Sequence, residues 1–307
     1  MAVGATDLLV AVDGSADSGH ALEWAAREAA LRQCGLVVLS AVQPPYSGWA
    51  GGGSTFGPQL EAAGLRTSQV LEEAAARVRE LEPRVEVTTQ QVLDGAAHAI
   101  LEAAPGVAQV VVGAHGHGRL ERLLAGSVSM HVVAHCEQPV VVVRPAASPD
   151  GPVLVGLDGS AASSEALAYA VEAAVLHGRP LLAVHAWEDY ASDGSGAVEL
   201  SPDVLDERSA EATASVEAEL APWRQRQPQL QAAALAERGH PFEVLRRHSA
   251  AASLLVLGSH GHSALGRLVA GSTAMAALYR AECTIAVVRP RSADPVGLLG
   301  PTDLDAV

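Results

Sequence analysis

The chain contains no lysine; all twenty of its basic residues are arginines, set against 35 Asp and Glu. A Walker-type phosphate loop needs its lysine, protein kinases need theirs and Schiff-base chemistry needs an amine, so these mechanisms are excluded. Aromatic residues are scarce as well, at 3% of 307 positions, although 49% of the chain is hydrophobic. The apolar residues are chiefly Ala, Val and Leu, which suits helices packed on a parallel sheet better than an aromatic-rich β-sandwich. No apolar run approaches the roughly 18 residues of a membrane span, and the first residues lack the charged-then-apolar pattern of a signal sequence, so no membrane partner is expected. Cysteine is limited to Cys34, Cys136 and Cys283, odd in number and without paired spacing. That pattern predicts reduced thiols in a cytoplasmic protein. The net charge of −15 divides into −6 for residues 1–147 and −9 for the rest. An evenly acidic surface repels nucleic-acid phosphates and excludes a nucleic-acid partner.

What the chain does contain is a duplicated glycine pattern. Gly113-Ala114-His115-Gly116, nine residues and then Gly126-Ser127 returns 145 residues later as Gly258-Ser259-His260-Gly261, nine residues and then Gly271-Ser272. Val10-Ala11-Val12-Asp13-Gly14-Ser15 returns at the same offset as Val155-Gly156-Leu157-Asp158-Gly159-Ser160. Val141-Val142-Val143-Arg144-Pro145 likewise matches Ala286-Val287-Val288-Arg289-Pro290. A repeat of this length is a duplicated domain rather than a solenoid unit. It predicts domains at residues 1–147 and 148–292, joined by a turn-like segment at 147–152. The tail at 293–307, with Pro295, Gly297, Gly300 and Pro301, is expected to be disordered.

Within the first half, short apolar runs alternate with helical periodicity. Strands are expected at 8–13, 36–42, 85–92, 109–113 and 139–144, and helices at 16–33, 60–81, 96–104 and 127–136. Ala21, Leu22, Ala25 and Ala29 mark the buried face of the first helix. Segments 44–58 and 188–202, rich in Gly, Pro and Ser, are expected to be long mobile loops. The order indicates two α/β domains, each a parallel sheet of right-handed βαβ units with helices on both faces.

In such sheets ligands sit beyond the carboxyl ends of the strands. Asp13 ends the first strand and Gly113 the fourth, so if these strands are neighbours both motifs open into one crevice. Gly113 and Gly116 permit a tight turn and a close backbone approach. A helix starting at Gly126-Ser127 aims free N–H groups and its positive dipole end at the crevice, where Ser127 is expected to cap the helix or donate to a phosphate oxygen. Asp13 would repel a polyphosphate, so it fits sugar hydroxyls or a base; the blander reading of Asp13 and Asp158 is an Asx-turn.

These residues resemble the universal stress protein family. Gly-x2-Gly-x9-Gly-Ser/Thr, the first-strand aspartate, the Gly126-Ser127-Val128-Ser129 run and the closing Val-Val-Arg-Pro all look like its ATP-binding branch, across residues 6–146 and 151–290. The resemblance implies two tandem Rossmann-like domains of the adenine nucleotide alpha hydrolase type, each with five parallel strands in the order 3-2-1-4-5. It implies one ATP per domain, with Mg²⁺ able to join the phosphates. Ala41 and Ala186 would line the adenine pockets, and Ala11 and Gly156 would sit beside the nucleotide. The phosphates would meet Gly113, Ala114, His115, Gly116, His117, Gly118, Arg119, Gly126, Ser127 and Val128. Their counterparts are Gly258, Ser259, His260, Gly261, His262, Ser263, Ala264, Gly271, Ser272 and Thr273. The implied role is a nucleotide-dependent regulator in stress or dormancy responses, acting in the cytoplasm.

The two copies are not identical. Ser129 becomes Ala274, Pro139 becomes Thr284, and Arg119 becomes Ala264, which deletes a cation. Two competent sites are expected, the second the weaker. Arg122 and Arg267 fit surface ion pairs better than phosphate contacts. His115/His117 and His260/His262 fit hydrogen bonding to phosphates. His131 and His135 form a further pair at i, i+4, but Ala276 and Arg280 replace them in the second half, so no shared metal-ligand set emerges. No Ser-His-Asp set, paired carboxylates or CxxC is evident. Binding rather than turnover is therefore expected, with slow Mg-dependent ATP hydrolysis or nucleotide transfer as the alternative. Nucleotide occupancy would order the glycine-rich and mobile segments and so change a surface read by partners. The apolar fifth strands would pair within the chain about a pseudo-two-fold axis, and a homodimer of tandem chains is a further option.

Overall fold

The structure is a computed structural model and describes residues 6–43, 56–116, 126–188, 201–260 and 271–290. These form two compact units: among the described residues the first holds those up to Val143 together with Pro290, and the second spans Arg144–Arg289. The first runs β1 (Leu8–Ala11), α1 (Ala16–Arg32), β2 (Leu36–Ala41), α2 (Phe56–Leu81), β3 (Val87–Val92), α3 (Ala96–Ala103), β4 (Gln109–Gly113), α4 (Ser127–His135) and β5 (Val140–Val143). The second runs β6 (Val153–Leu157), α5 (Ala161–Leu176), β7 (Leu181–Trp187), α6 (Pro202–Arg226), β8 (Ala232–Arg238), α7 (Pro241–Ser249), β9 (Leu254–Gly258), α8 (Ser272–Arg280) and β10 (Thr284–Val288).

Strand pairing in each unit is parallel, in the order β3-β2-β1-β4-β5 and β8-β7-β6-β9-β10. The expected α/β class with a parallel sheet is what the chain adopts. Strands buried on both faces must be apolar throughout, and Leu8, Leu9, Val10, Val110 and Val111 are fully buried. The helices meet this sheet through small residues. Ala21, Ala25 and Ala29, at i, i+4, i+8 of α1, have no exposed surface, and Leu22 is 4% exposed. Alanine there lets helix and sheet backbones approach closely, which explains a core built with so few aromatics. From Thr88 onward the outer strand β3 alternates half-buried and exposed residues, as an edge should.

Two local expectations need correction. Segment 44–58 does not extend as a loop to Pro58, because α2 already begins at Phe56. Pro58 falls in the first turn, where backbone N–H groups have no helical partner to lose. Similarly, α6 begins at Pro202. The remainder of both loop expectations, residues 44–55 and 189–200, lies outside the described residues, as does the tail from residue 291. Among the described residues, no helix is long and apolar enough to cross a membrane.

The three thiols are free, with Cys136 and Cys283 buried and Cys34 half-buried. Burial pushes the Cys283 thiol up to about 12 and that of Cys34 up to about 11. Thiolate is the reactive form. At pH 8 the folded chain is thus expected to react slowly with a disulfide reagent at these two positions, and rapidly once unfolded. A thiol titration with and without denaturant measures the difference.

Candidate functional site

Strand β1 lies between β2 and β4, so Asp13, just past β1, and Gly113, the last residue of β4, reach the same carboxyl edge. Asp13 Oδ1 accepts the Ser15 N–H at 2.9 Å, and Asp158 Oδ1 accepts that of Ser160 at 3.0 Å. Both aspartates are exposed and both close an Asx-turn. The residues between, Gly14 and Gly159, have φ of 84° and 77°, a region that glycine enters without steric penalty. Ser15 and Ser160 then cap α1 and α5, accepting the N–H groups of Ser18 and Ser163. Asp-Gly-Ser in each unit is therefore a turn and helix start that holds a carboxylate at the strand edge.

Gly113 and Gly258 answer to a contact within the protein. A Cβ on Gly113 would lie 2.8 Å from the Asp17 carbonyl carbon and oxygen; one on Gly258 would lie 2.8 Å from the Ala162 carbonyl carbon. The fourth strand of each unit passes directly beneath the first turn of its first helix. Gly116 makes the other close approach, since its Cβ would lie 2.7 Å from Asp13 Oδ2. The loop then returns to its origin. The Gly126 N–H donates to the Ala114 carbonyl at 2.8 Å, and that of Gly271 donates to the Ser259 carbonyl at 2.5 Å. The starts of α4 and α8, whose first-turn N–H groups have no partner within the helix, thus stand beside the aspartate turns.

Ser127 and Ser272 are not caps. Gly126 and Gly271 occupy the cap positions without any side-chain capping bond, and the serines are the first helical residues, both exposed. The glycines already hold the extended backbone that a cap requires (φ −72°, ψ 146° at Gly126), which moves each serine one residue into its helix. Ser129 bonds instead to the carbonyl oxygens of Gly126 and Ala114.

Other candidates fall around this edge. Ala11 and Ala41 end β1 and β2 half-buried, and Ala186 is the half-buried penultimate residue of β7. Ala114 and Ser259 are buried, and Val128 and Thr273 are half-buried in their helices. Gly156 faces Leu257 and Leu245 side chains, where a Cβ would crowd both. His117, Gly118, Arg119, Arg122, Gly261, His262, Ser263, Ala264 and Arg267 lie outside the described residues.

The two units differ in ways that local sequence patterns do not reveal. In the first, Asp17 Oδ2 accepts both the His115 backbone N–H, at 3.0 Å, and its ring Nδ1–H, at 2.7 Å. Ala162 stands at the Asp17 position of the second unit, where the His260 ring instead meets the Ser259 hydroxyl at 2.8 Å. In the second unit, burial pushes the Glu219 carboxyl of α6 above the ordinary carboxylate range, with His185 opposing the rise and Asp158 adding to it. The first unit has Ala74 and Ser40 where the second has Glu219 and His185. His185 also points Nδ1 at the Leu157 carbonyl, 2.8 Å away. A raised carboxyl pKa means that the folded chain holds its proton more tightly than the unfolded one, so stability falls as pH rises through the folded value. Glu219→Gln is expected to raise the melting temperature at pH 7 and to leave it unchanged near about pH 3, where both states are protonated. Thermal denaturation at the two pH values tests this.

No group of three or more His, Cys, Asp or Glu placed to hold a metal ion occurs among the described residues. Fold and site together define a duplicated doubly wound α/β protein whose two crevices share one construction. Residues 5–144 and 151–289 each match the model of the universal stress protein family, and the chain belongs to that family. It is 31% identical over 291 residues to a universal stress protein of Mycolicibacterium smegmatis, covering 92% of this chain and 97% of that protein. It is 33% identical over 289 residues to one of Mycobacterium tuberculosis, covering 92% and 96%. Among solved structures, a universal stress protein of Archaeoglobus fulgidus matches with a TM-score of 0.69 at 19% identity, covering 96% of this chain and 99% of that one. A putative universal stress protein of Pseudomonas aeruginosa matches with a TM-score of 0.64 at 19% identity, covering 92% and 93%. These structures share the fold.

Proposed function

We propose that each half, 1–147 and 148–292, binds one adenine nucleotide, ATP with Mg²⁺, at the carboxyl edge of its first and fourth strands. In this reading the chain is a cytoplasmic nucleotide-dependent regulator in stress or dormancy responses. The observation that carries it is the recurrence of one construction in both units: an aspartate held by an Asx-turn beside a helix start folded back onto the strand end. The first-turn N–H groups of α4 and α8 suit phosphate oxygens, and the aspartate carboxylates suit sugar hydroxyls. The glycine spacing that continues through residues 117–125 and 261–270 supports the same assignment. Calorimetric titration of the full chain with ATP and Mg²⁺, together with mass spectrometry of copurifying nucleotide, tests it. Two ATP per chain is the expected stoichiometry; no bound nucleotide and no heat at millimolar ATP would defeat the reading.

A second reading, slow ATP hydrolysis, draws on the first unit alone. Asp17 holds the Nδ1–H of His115, which leaves Nε2 as the basic nitrogen, the arrangement by which carboxylates prepare imidazole bases. Phosphate release by the wild type that disappears in His115→Ala would favour turnover; no release by either supports a binding role.

A further inference from the structure

We infer that His131 and His135, on the outer face of α4, form a two-histidine site for a divalent transition-metal ion such as zinc. The residues are one helical turn apart and both are exposed. Their rings are stacked, with centroids 4.2 Å apart and planes inclined by 27°, so the two imidazoles already point along the same side of the helix. At i, i+4 spacing, two ring nitrogens can reach a single ion, as in helical zinc sites. His135 is oriented further by its Nδ1, which lies 2.8 Å from the His131 carbonyl oxygen. A carbonyl only accepts, so Nδ1 carries the proton and the lone pair resides on Nε2. A backbone carbonyl on the second ring nitrogen is the usual means of fixing a metal-binding histidine.

No third protein ligand joins the pair among the described residues. A pair of protein ligands leaves coordination positions for water, which is the character of an open, exchangeable site rather than a closed structural one. The second unit lacks the pair, having Ala276 and Arg280 at the corresponding positions. The inference is independent of nucleotide binding, because the ligands lie one and two turns beyond Ser127.

Titration of the untagged full chain with zinc chloride tests the site. Binding is expected in the wild type, weaker by about tenfold or more in His135→Ala, with this ion lost in the double variant His131→Ala/His135→Ala. Copper(II) spectroscopy gives a second readout, with hyperfine coupling from two imidazole nitrogens in the wild type and one in His135→Ala. Both side chains are exposed, so the double variant is expected to keep its fold, as circular dichroism can verify. A wild-type isotherm retained by the double variant would place the ion elsewhere on the chain and overturn the site. No zinc binding by the wild type at millimolar concentration would overturn it equally.

Discussion

Gly113→Ala is expected to destabilise the first unit by about 1–3 kcal/mol, although adding a methyl group to a strand glycine ordinarily helps. The ordinary gain is roughly 0.5–1 kcal/mol, from the smaller entropy lost on folding. Here the new Cβ would lie 2.8 Å from the Asp17 carbonyl group and 3.0 Å from the Ser18 nitrogen. These are backbone atoms of the first turn of α1, so no rotamer change relieves the contact; the helix must lift from the sheet. The lift would also displace Asp17 from His115 and the Asx-turn from the helix start facing it. Gly113→Ala should therefore lower both the melting temperature and affinity for the proposed nucleotide. Gly258→Ala should act likewise in the second unit, where the obstruction is the Ala162 backbone. Gly116→Ala provides the contrast. Among the described residues its Cβ would meet only the carboxylate end of Asp13, 2.7 Å away, which can swing aside if its bond to the Ser15 N–H is given up. That variant should melt near the wild-type temperature while binding nucleotide weakly. Scanning calorimetry and ATP titration of the three variants separate the effects; a Gly113→Ala protein more stable than wild type would refute the steric argument.

Much of this architecture was legible in the sequence because it depends on spacing. The 145-residue offset aligns Asp13 with Asp158 and Gly113 with Gly258, and these pairs occupy matching places in the two units. The periodicity of Ala21, Leu22, Ala25 and Ala29 marked the face that α1 buries. What escaped were features in which two local preferences compete or partners are remote. Gly57 and Pro58 suggest a loop, yet first-turn amides lose nothing to proline, so α2 begins at Phe56. Serine is a favoured cap, but Gly126 already holds the extended cap conformation. The bonds from His115 to Asp17 span 98 positions and arise only because β4 passes beneath α1. The influence of Asp158 on Glu219 likewise depends on the packing of α6 against the sheet.

Asp13→Asn is expected to reduce the proposed stoichiometry from two ATP to one at concentrations that just saturate the wild type, and Asp13→Asn/Asp158→Asn to leave both sites largely empty at those concentrations. The substitution separates the two roles that one carboxylate can have. An Asx-turn needs a single side-chain oxygen, which asparagine retains, so the bond to the Ser15 N–H and the melting temperature should survive. A carboxylate facing a sugar accepts from two hydroxyl donors, whereas an amide accepts through its one oxygen and presents N–H groups to the other hydroxyl. Losing one hydrogen bond to a charged group is worth about 1.5–3 kcal/mol, roughly a tenfold to hundredfold loss of affinity. The sign of the change identifies what Asp13 faces. Removing a negative charge beside phosphates would strengthen binding, because the repulsion disappears. Removing an acceptor beside sugar hydroxyls weakens it, and unchanged affinity would leave the aspartate with its turn alone. Since Asp158 makes the same turn with nearly the same geometry, Asp158→Asn should repeat the result in the second unit. A difference in size between the two effects would then measure what Glu219, His185 and the missing Asp17 equivalent contribute to the second crevice.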